Sequence, residues 1–200
     1  ECIKTNVHGA QSVISAAIKS GVKKVINLST DKACNPINLY GASKLCAEKL
    51  FVNANQLSGK NETKFGTVRY GNVIASRGSV IPLFVELSKE KKNKIPLTHK
   101  SMTRFFITLE QAVQFVIICL DKMRAGEIFI PKMNSIYIEQ LIKIINPKSK
   151  IKVVGIRPGE KIHETLLSTD ESSLIYDNGN YYTIYSENLS SLKNNKKKIK

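Results

Sequence analysis

Apolar residues open the chain at helical spacing: Val7, Ala10, Val13, Ile14, Ala17 and Ile18 share one face, so 1–20 predicts an amphipathic helix. The period then changes. Lys24 to Leu28 concentrates Val25, Ile26 and Leu28 in five residues ahead of Ser29, the pattern of a short buried strand. From about Leu39 to Ser58 a second helix is predicted, stopping near Gly59. Thr63–Tyr70 reads as a strand, Val80–Glu90 as a helix fading into a lysine-rich loop, and Ile95–Thr98 as a short edge strand carrying Pro96. Thr108 and Gln111 have the spacing of a capping box, which starts a helix running to Met123. A strand at Glu127–Ile130, a helix at Ile138–Ile145 and a strand at Ile151–Ile156 complete the pattern. Strands alternating with helices in this way predict an α/β fold built on a parallel sheet, with a smaller mixed lobe. The polar stretch from Asn188 to Lys200 is expected to be disordered.

Composition narrows the classes. A hydrophobic content of 42% over 200 residues is enough for a sizeable core, and no apolar run approaches the roughly 18 residues of a membrane span. The formal charge of +15 raises the possibility of nucleic-acid binding. However, the lysines are scattered, gathering only at 89–94 and 193–200, and the 7% aromatic residues do not interleave with them as a stacking platform requires. A solvated basic surface is the reading adopted, with no nucleic-acid and no membrane partner. The cysteines Cys2, Cys34, Cys46 and Cys119 have no metal-ligand spacing; neither a metal nor disulfides are expected, which suits a reducing cytoplasm. Cys46 and Cys119 fall in helical apolar patterns and read as packing residues.

The chemistry concentrates in two short runs, Ser29-Thr30-Asp31-Lys32 and Tyr40-Gly41-Ala42-Ser43-Lys44. Ligands of open α/β sheets lie beyond the carboxyl ends of the strands, where the first run falls. Tyr40 and Lys44 are four apart, hence on one face of the predicted helix. An ammonium held beside a phenol favours its ionised form and makes the pair a candidate base.

These residues carry a resemblance. Leu28–Pro36, Asn38–Lys44, Arg69-Tyr70-Gly71-Asn72-Val73, Met102-Thr103-Arg104-Phe105, Gly126–Lys132 and Arg157–Glu164 together resemble the extended short-chain dehydrogenases/reductases acting on nucleotide sugars. More narrowly they resemble the inverting UDP-N-acetylglucosamine 4,6-dehydratases of pseudaminic acid synthesis. Asp31-Lys32 and the Arg157-Pro158-Gly159-Glu160-Lys161 run are the specific parts. The resemblance implies a Rossmann-like doubly wound parallel sheet with a smaller mixed α/β substrate lobe. Residues 1–75 would be the later half of a dinucleotide-binding domain and 76–187 mainly the substrate lobe, with elements returning to the sheet. Such enzymes open with a strand, a glycine-rich turn and a helix. No such turn is matched, residue 1 is Glu rather than Met, and the sequence reads as the back portion of a longer protein lacking the N-terminal strands.

By the same resemblance, Tyr40 would take the 4-hydroxyl proton of the sugar, assisted by Lys44 and hydrogen-bonded by the Thr30 hydroxyl. Asp31 would protonate the departing 6-hydroxyl, and Lys32 would handle the C5 proton. Asn6, Ser29, Tyr40, Lys44 and Tyr70 would line a tightly bound, recycled NAD or NADP. Asn72, Arg104 and Arg157 would grip the diphosphate of a UDP-sugar, guanidinium forks matching phosphate oxygens in pairs. A cytoplasmic homo-oligomer is the expected setting. Two alternatives stay open: a 4-epimerase or retaining dehydratase of the same superfamily, although retaining relatives tend to carry Met where Tyr40 stands, and a catalytically silent binding module. Arg157 could also pair simply with Glu160. His163 has no second histidine near it in sequence and reads as a packed, hydrogen-bonded imidazole; His99 reads as exposed.

Overall fold

The computed structural model describes residues 1–59, 62–76, 78–89 and 94–185, in two compact units. The first comprises 1–70, 113–132 and the chain from 165 onward; the second comprises 71–112 and 133–164. The predicted tail at 188–200 lies outside the described residues, as do Glu90 and the three residues after it.

The first unit is built on a five-stranded sheet. In chain order its elements are α1 (Gly9–Lys19), entered through a wider helical turn at Lys4–His8, then β1 (Lys24–Thr30), α2 (Leu39–Ala54) and β2 (Lys64–Tyr70). It is completed by α4 (Leu109–Lys122), whose last ten residues belong here, and by β6 (Ile128–Pro131), β9 (Ile175–Asp177) and β10 (Tyr181–Ile184). The strand order is β1-β2-β6-β10-β9. β1, β2 and β6 run parallel, whereas β10 is antiparallel to both β6 and β9. Side chains alternate across a strand, and β2 shows the consequence. Phe65 packs with Ala10, Ile14 and Ala17 of α1 and Ala47, Phe51 and Ala54 of α2. Val68, three residues on, packs instead with Cys119 and Met123 at the end of α4 and with Phe129. Helices therefore cover both faces, the doubly wound arrangement of the predicted fold class. The alanines let α1 and α2 approach closely. Burying each of the large side chains contributes roughly 1.5–3 kcal/mol.

The second unit holds β3 (Asn72–Val73), α3 (Val80–Lys89), β4 (Lys94–Leu97), β5 (Thr103–Ile107), β7 (Ser135–Tyr137), α5 (Ile138–Ile145) and β8 (Lys150–Val153). A three-stranded sheet, β3-β5-β7, and the parallel pair β4-β8 share a core of Phe84, Ile95, Leu97, Met102, Ile138, Leu141 and Ile142 with α3 and α5. The capping box forms as expected: Thr108 Oγ1 accepts from the Gln111 backbone N–H, and Gln111 Oε1 accepts from that of Thr108, each at 3.1 Å.

Several expectations are corrected. Five short strands (β3, β5, β7, β9 and β10) were not predicted, because two to five residues are too few to display alternation. α2 stops at Ala54 rather than Ser58. There Asn55 donates to the Val52 and Phe65 carbonyls and accepts from the Phe65 N–H, closing the helix onto β2. The strand expected to reach Ile156 ends at Val153. Cys46 is exposed rather than packed, whereas Cys119 is buried as read. Among the described residues, no helix is long and apolar enough to cross a membrane, and no cluster of three His, Cys, Asp or Glu side chains could hold a metal.

Candidate active site

In the first unit the site grows from one strand, one turn and one helix. β1 ends at Thr30, and the chain enters a tight turn at Asp31–Ala33 without a linker. The Thr30 Oγ1 atom caps that turn by accepting from the Lys32 backbone N–H at 3.4 Å. Its proton goes to Asp31 Oδ1 at 2.9 Å. This corrects the expected Thr30–Tyr40 hydrogen bond: the threonine serves the turn and the carboxylate. Lys32 Nζ donates to the same Oδ1, also at 2.9 Å. Asp31 is fully buried while Lys32 is partly open, and Asp31 Oδ2 is buried with no hydrogen-bond partner. Ser29 is buried too, with its Oγ likewise unpartnered.

α2 starts where Asn38 caps it, the Asn38 carboxamide oxygen accepting from the Gly41 N–H at 2.8 Å. The helix seats directly on the Asp31 turn. A methyl group on Gly41 would overlap the Lys32 carbonyl oxygen and come within 3.0 Å of Pro36 Cβ, so the close approach requires glycine. Tyr40, in the first turn of α2, is 45% exposed. Lys44, one helical turn on, donates from Nζ to the Leu28 carbonyl at 2.6 Å. Burial lowers the Lys44 pKa from its usual value, against the raising effect of the Glu48 carboxylate. Ser43 donates to the Tyr40 carbonyl and accepts from Asn6 Nδ2 at 2.9 Å. Tyr70 pairs in register with Thr30 across β1 and β2; burial, and then the neighbouring Tyr40, raise its phenol. Thus Thr30, Asp31, Lys32, Tyr40, Lys44, Ser29 and Tyr70 gather at the carboxyl ends of two adjacent strands, and Asn6 reaches α2 through Ser43.

The second unit contains a cavity of about 310 Å³ lined by Asn72, Arg104, Arg157 and Glu160 over an apolar floor that includes Leu83, Phe84, Met102 and Phe106. The two arginines differ. Arg104 donates to the carbonyls of Thr103, Lys161 and Ile162 at 2.7–3.0 Å and lies 3.7 Å from Glu160, so its guanidinium binds down the 157–164 loop. Arg157 is exposed, and among the described residues its guanidinium has no partner. The Glu160 carboxylate faces Arg104; it accepts from the Arg157 backbone N–H at 3.4 Å, and the Glu160 N–H donates to the Arg157 carbonyl at 3.0 Å. Among the described residues, the alternative pairing of the Arg157 side chain with Glu160 does not form. Asn72 donates to the Phe105 carbonyl at 3.2 Å, beside Gly71, where any Cβ would strike Phe105. A wider depression around Tyr137, Gln140, Lys143 and Ile144 contains none of the candidate residues. His163 is hydrogen-bonded to Thr103 at 2.8 Å, as read, but is exposed rather than packed, and His99 is half-buried rather than exposed.

Two features escaped the sequence reading. Glu160 lines the cavity itself, and Arg69 is fully buried between Glu48 and Glu171. A signal for the second was available: Glu48 follows Lys44 by four, continuing the Tyr40–Lys44 face.

A family model described as "Polysaccharide biosynthesis protein" matches residues 1–186. A Campylobacter jejuni protein named UDP-N-acetylglucosamine 4,6-dehydratase (inverting) is 54% identical over 184 residues, covering 92% of this chain and 55% of that protein. A Rickettsia canadensis protein named UDP-glucose 4-epimerase is 45% identical over 188 residues, again 92% and 55%. The solved structure of Pen from Bacillus thuringiensis aligns with a TM-score of 0.86 at 41% identity, over 91% of this chain and 58% of that one. The chain spans about half the length of the curated relatives it matches.

Proposed function

The chain belongs to the polysaccharide biosynthesis protein family, and on that premise we propose that it carries the catalytic groups for dehydrating UDP-N-acetylglucosamine to a 4-keto-6-deoxy sugar with inversion at C5. The observation that carries the reading is the ion pair of buried Asp31 with partly open Lys32 at the carboxyl end of β1, beside the Tyr40–Lys44 face of α2. An epimerase, which exchanges hydrogen at one carbon, has no need of that second acid–base pair. The 54% identity with the Campylobacter dehydratase points the same way.

The unpartnered Ser29 Oγ and Asp31 Oδ2 atoms fit a site that holds a polar ligand at the end of β1. Asn6, Ser29, Tyr40, Lys44 and Tyr70 would hold a nicotinamide there, NAD or NADP, which when bound accepts the C4 hydride of the sugar and returns it to C6. The protein's own work is proton handling. Tyr40 takes the proton of the 4-hydroxyl as C4 is oxidised, while Lys44, fixed to the Leu28 carbonyl, keeps a positive charge near the phenolate. The ketone acidifies the C5 proton.

Shifting one proton along the 2.9 Å bond from Lys32 to Asp31 turns the ion pair into an amine and a carboxylic acid. Those are the base for C5 and the acid for the leaving 6-hydroxyl, readied together by a single transfer. As the hydride reaches C6, C5 regains a proton from solvent on the opposite face while the one taken by Lys32 passes to solvent, so that the 4-hydroxyl proton and the 6-hydroxyl leave, in sum, as one water. Arg157, whose guanidinium has no partner among the described residues, would take the diphosphate, with Asn72 lining the same cavity and Arg104 anchoring its loop.

The test is mass spectrometry of UDP-N-acetylglucosamine incubated with nicotinamide cofactor and protein. It is run on the chain alone and on the chain joined to the part of the Campylobacter relative that the match leaves out. A product one water lighter, lost in Lys32→Ala and in Asp31→Asn, is the expected result. The 45% identical Rickettsia relative supports a second reading, a 4-epimerase. A product of unchanged mass, formed equally well by Lys32→Ala, would establish that reading and refute the first.

A further inference from the structure

Arg69 lies in β2, in register with Ser29, and is fully buried. Each of its five N–H donors is engaged. Nε and Nη2 reach the two oxygens of Glu48, Nη1 and Nη2 reach the two oxygens of Glu171 at 2.9 and 2.7 Å, and Nη1 also donates to the Leu166 carbonyl at 2.9 Å. Glu171 is held in turn by the Ser168 N–H and hydroxyl, both at 3.0 Å. Glu48 is fully buried and stands one helical turn beyond Lys44 and two beyond Tyr40, on the same face of α2. A single guanidinium thus fastens that face to β2 and to the 166–171 segment.

The charges do not balance. Two carboxylates surround one guanidinium, which leaves one negative charge over in a buried setting where it is poorly screened. The cation exposed to that surplus is Lys44, which Glu48 supports against the burial that weakens its hold on a proton. What faces the Lys44 ammonium is the Leu28 carbonyl from β1 and the Glu48 carboxylate from its own helix.

We infer that Glu48, Arg69 and Glu171 form a buried positioning triad, whose unbalanced negative charge keeps the Lys44 ammonium charged and seated at the carboxyl end of β1. The importance of that seat rests on the proposed role of Lys44; the triad itself does not. The three act through Lys44 and are positioning residues, with Glu171 the member supplied by the chain after residue 165.

The test measures the rate at which the Lys44 amine is modified by trinitrobenzenesulfonate in the intact chain, followed by peptide mapping across pH. Only the neutral amine reacts. In Glu171→Gln the surplus charge disappears, and the Lys44 rate near neutral pH is expected to rise about threefold while the alkaline plateau stays unchanged. Mere loosening of the fold would multiply the rate alike at every pH, and that outcome overturns the inference, as does no change at all. Glu171→Asp keeps the charge but loses reach. Its thermal midpoint should fall with the Lys44 profile unmoved, so a raised neutral-pH rate in that variant also refutes the triad, even if Glu171→Gln does not fold. Sugar dehydration is measured separately, so loss of activity with an intact Lys44 response separates failure of the functional reading from failure of this one.

Discussion

Replacing Gly41 by Ala tests the junction that assembles the site. In a helix Ala is favoured over Gly by about 1 kcal/mol, so propensity alone predicts a more stable protein. The geometry predicts the reverse. The added methyl would overlap the Lys32 carbonyl oxygen, with the carbonyl carbon at 3.2 Å and Pro36 Cβ at 3.0 Å. Overpacking costs about 1–3 kcal/mol where flexible side chains can yield. Here the obstacles are a backbone carbonyl and a proline ring, neither of which can rotate away, so the top of that range applies. After subtracting the propensity gain, a net loss of about 2 kcal/mol remains, equivalent to a fall in Tm of roughly 4–8 °C for a chain of this size. Gly9→Ala is the matched control: it is also helical, and its added methyl meets only the Lys4 carbonyl oxygen at an ordinary 3.7 Å. That variant should be more stable than the parent by about 0.5–1 kcal/mol. Denaturation followed by circular dichroism reads both, and amide exchange over 31–44 shows whether the damage is local. If Gly41→Ala equals or exceeds the parent in stability, the tight seating of α2 on the Asp31 turn is wrong, and the proximity of Tyr40 to Asp31 and Lys32 fails with it.

Other consequences can be measured independently. Arg157→Ala should leave stability within about 0.5 kcal/mol, because its guanidinium has no hydrogen-bond partner among the described residues, yet weaken UDP binding about tenfold or more by calorimetry. Arg104→Ala should instead destabilise the fold by about 2–4 kcal/mol, since it removes the guanidinium's hydrogen bonds to the Thr103, Lys161 and Ile162 carbonyls; equal stability of the two variants would refute the division of labour. Glu171 predicts a pH dependence. Burial would raise its carboxyl pKa, but the Arg69 fork and charge outweigh that and lower it from the ordinary 4.5. A lowered folded value contributes stability above the unfolded value that is lost as pH falls through the folded one. Acid unfolding below about pH 4.5 should therefore be shallower in Glu171→Gln than in the parent, and identical slopes would contradict the ion pair.

What the sequence disclosed and what it withheld follow from the range of the interactions involved. α5 was readable to the residue because Ile138, Leu141 and Ile142 repeat at helical spacing over a complete element. The capping box at Thr108 was readable because both partners lie three residues apart. β9 and β10 were not: they pair with each other across the short loop 178–180 but are too short to show alternation, and the pairing of β10 with β6 depends on a chain return of about fifty residues that no local pattern encodes. The candidate site divides similarly. Asp31, Lys32, Tyr40 and Lys44 lie within fourteen consecutive positions and could be assembled from a strand end and a helix face. The partner of Thr30 could not, because choosing between the Asp31 oxygen and the Tyr40 phenol turns on rotations that only the folded turn decides. Of the Arg69 junction, Glu48 could be read from its helical spacing to Lys44, whereas Glu171, 102 residues after Arg69, was beyond reach for the same reason as the pairing of β10 with β6.

The cations named for the site show how folding converts residue type into available chemistry. The sequence reading gave Lys32 the C5 proton, Lys44 the support of Tyr40, and Arg104 and Arg157 the diphosphate. In the folded chain Lys32 faces a buried carboxylate, Lys44 a backbone carbonyl, and Arg104 three carbonyls and a glutamate, whereas Arg157 has no protein partner among the described residues. A cation already satisfied by the protein can position other groups or exchange a proton with its partner. It gains little by binding an external anion, because that contact would have to replace an existing one. Lys32 and Asp31 are accordingly suited to passing a proton between them, Lys44 to holding charge in place and Arg104 to anchoring a loop. In the proposed site, recognition of a phosphate would fall to Arg157, whose bond to the ligand would be a net gain.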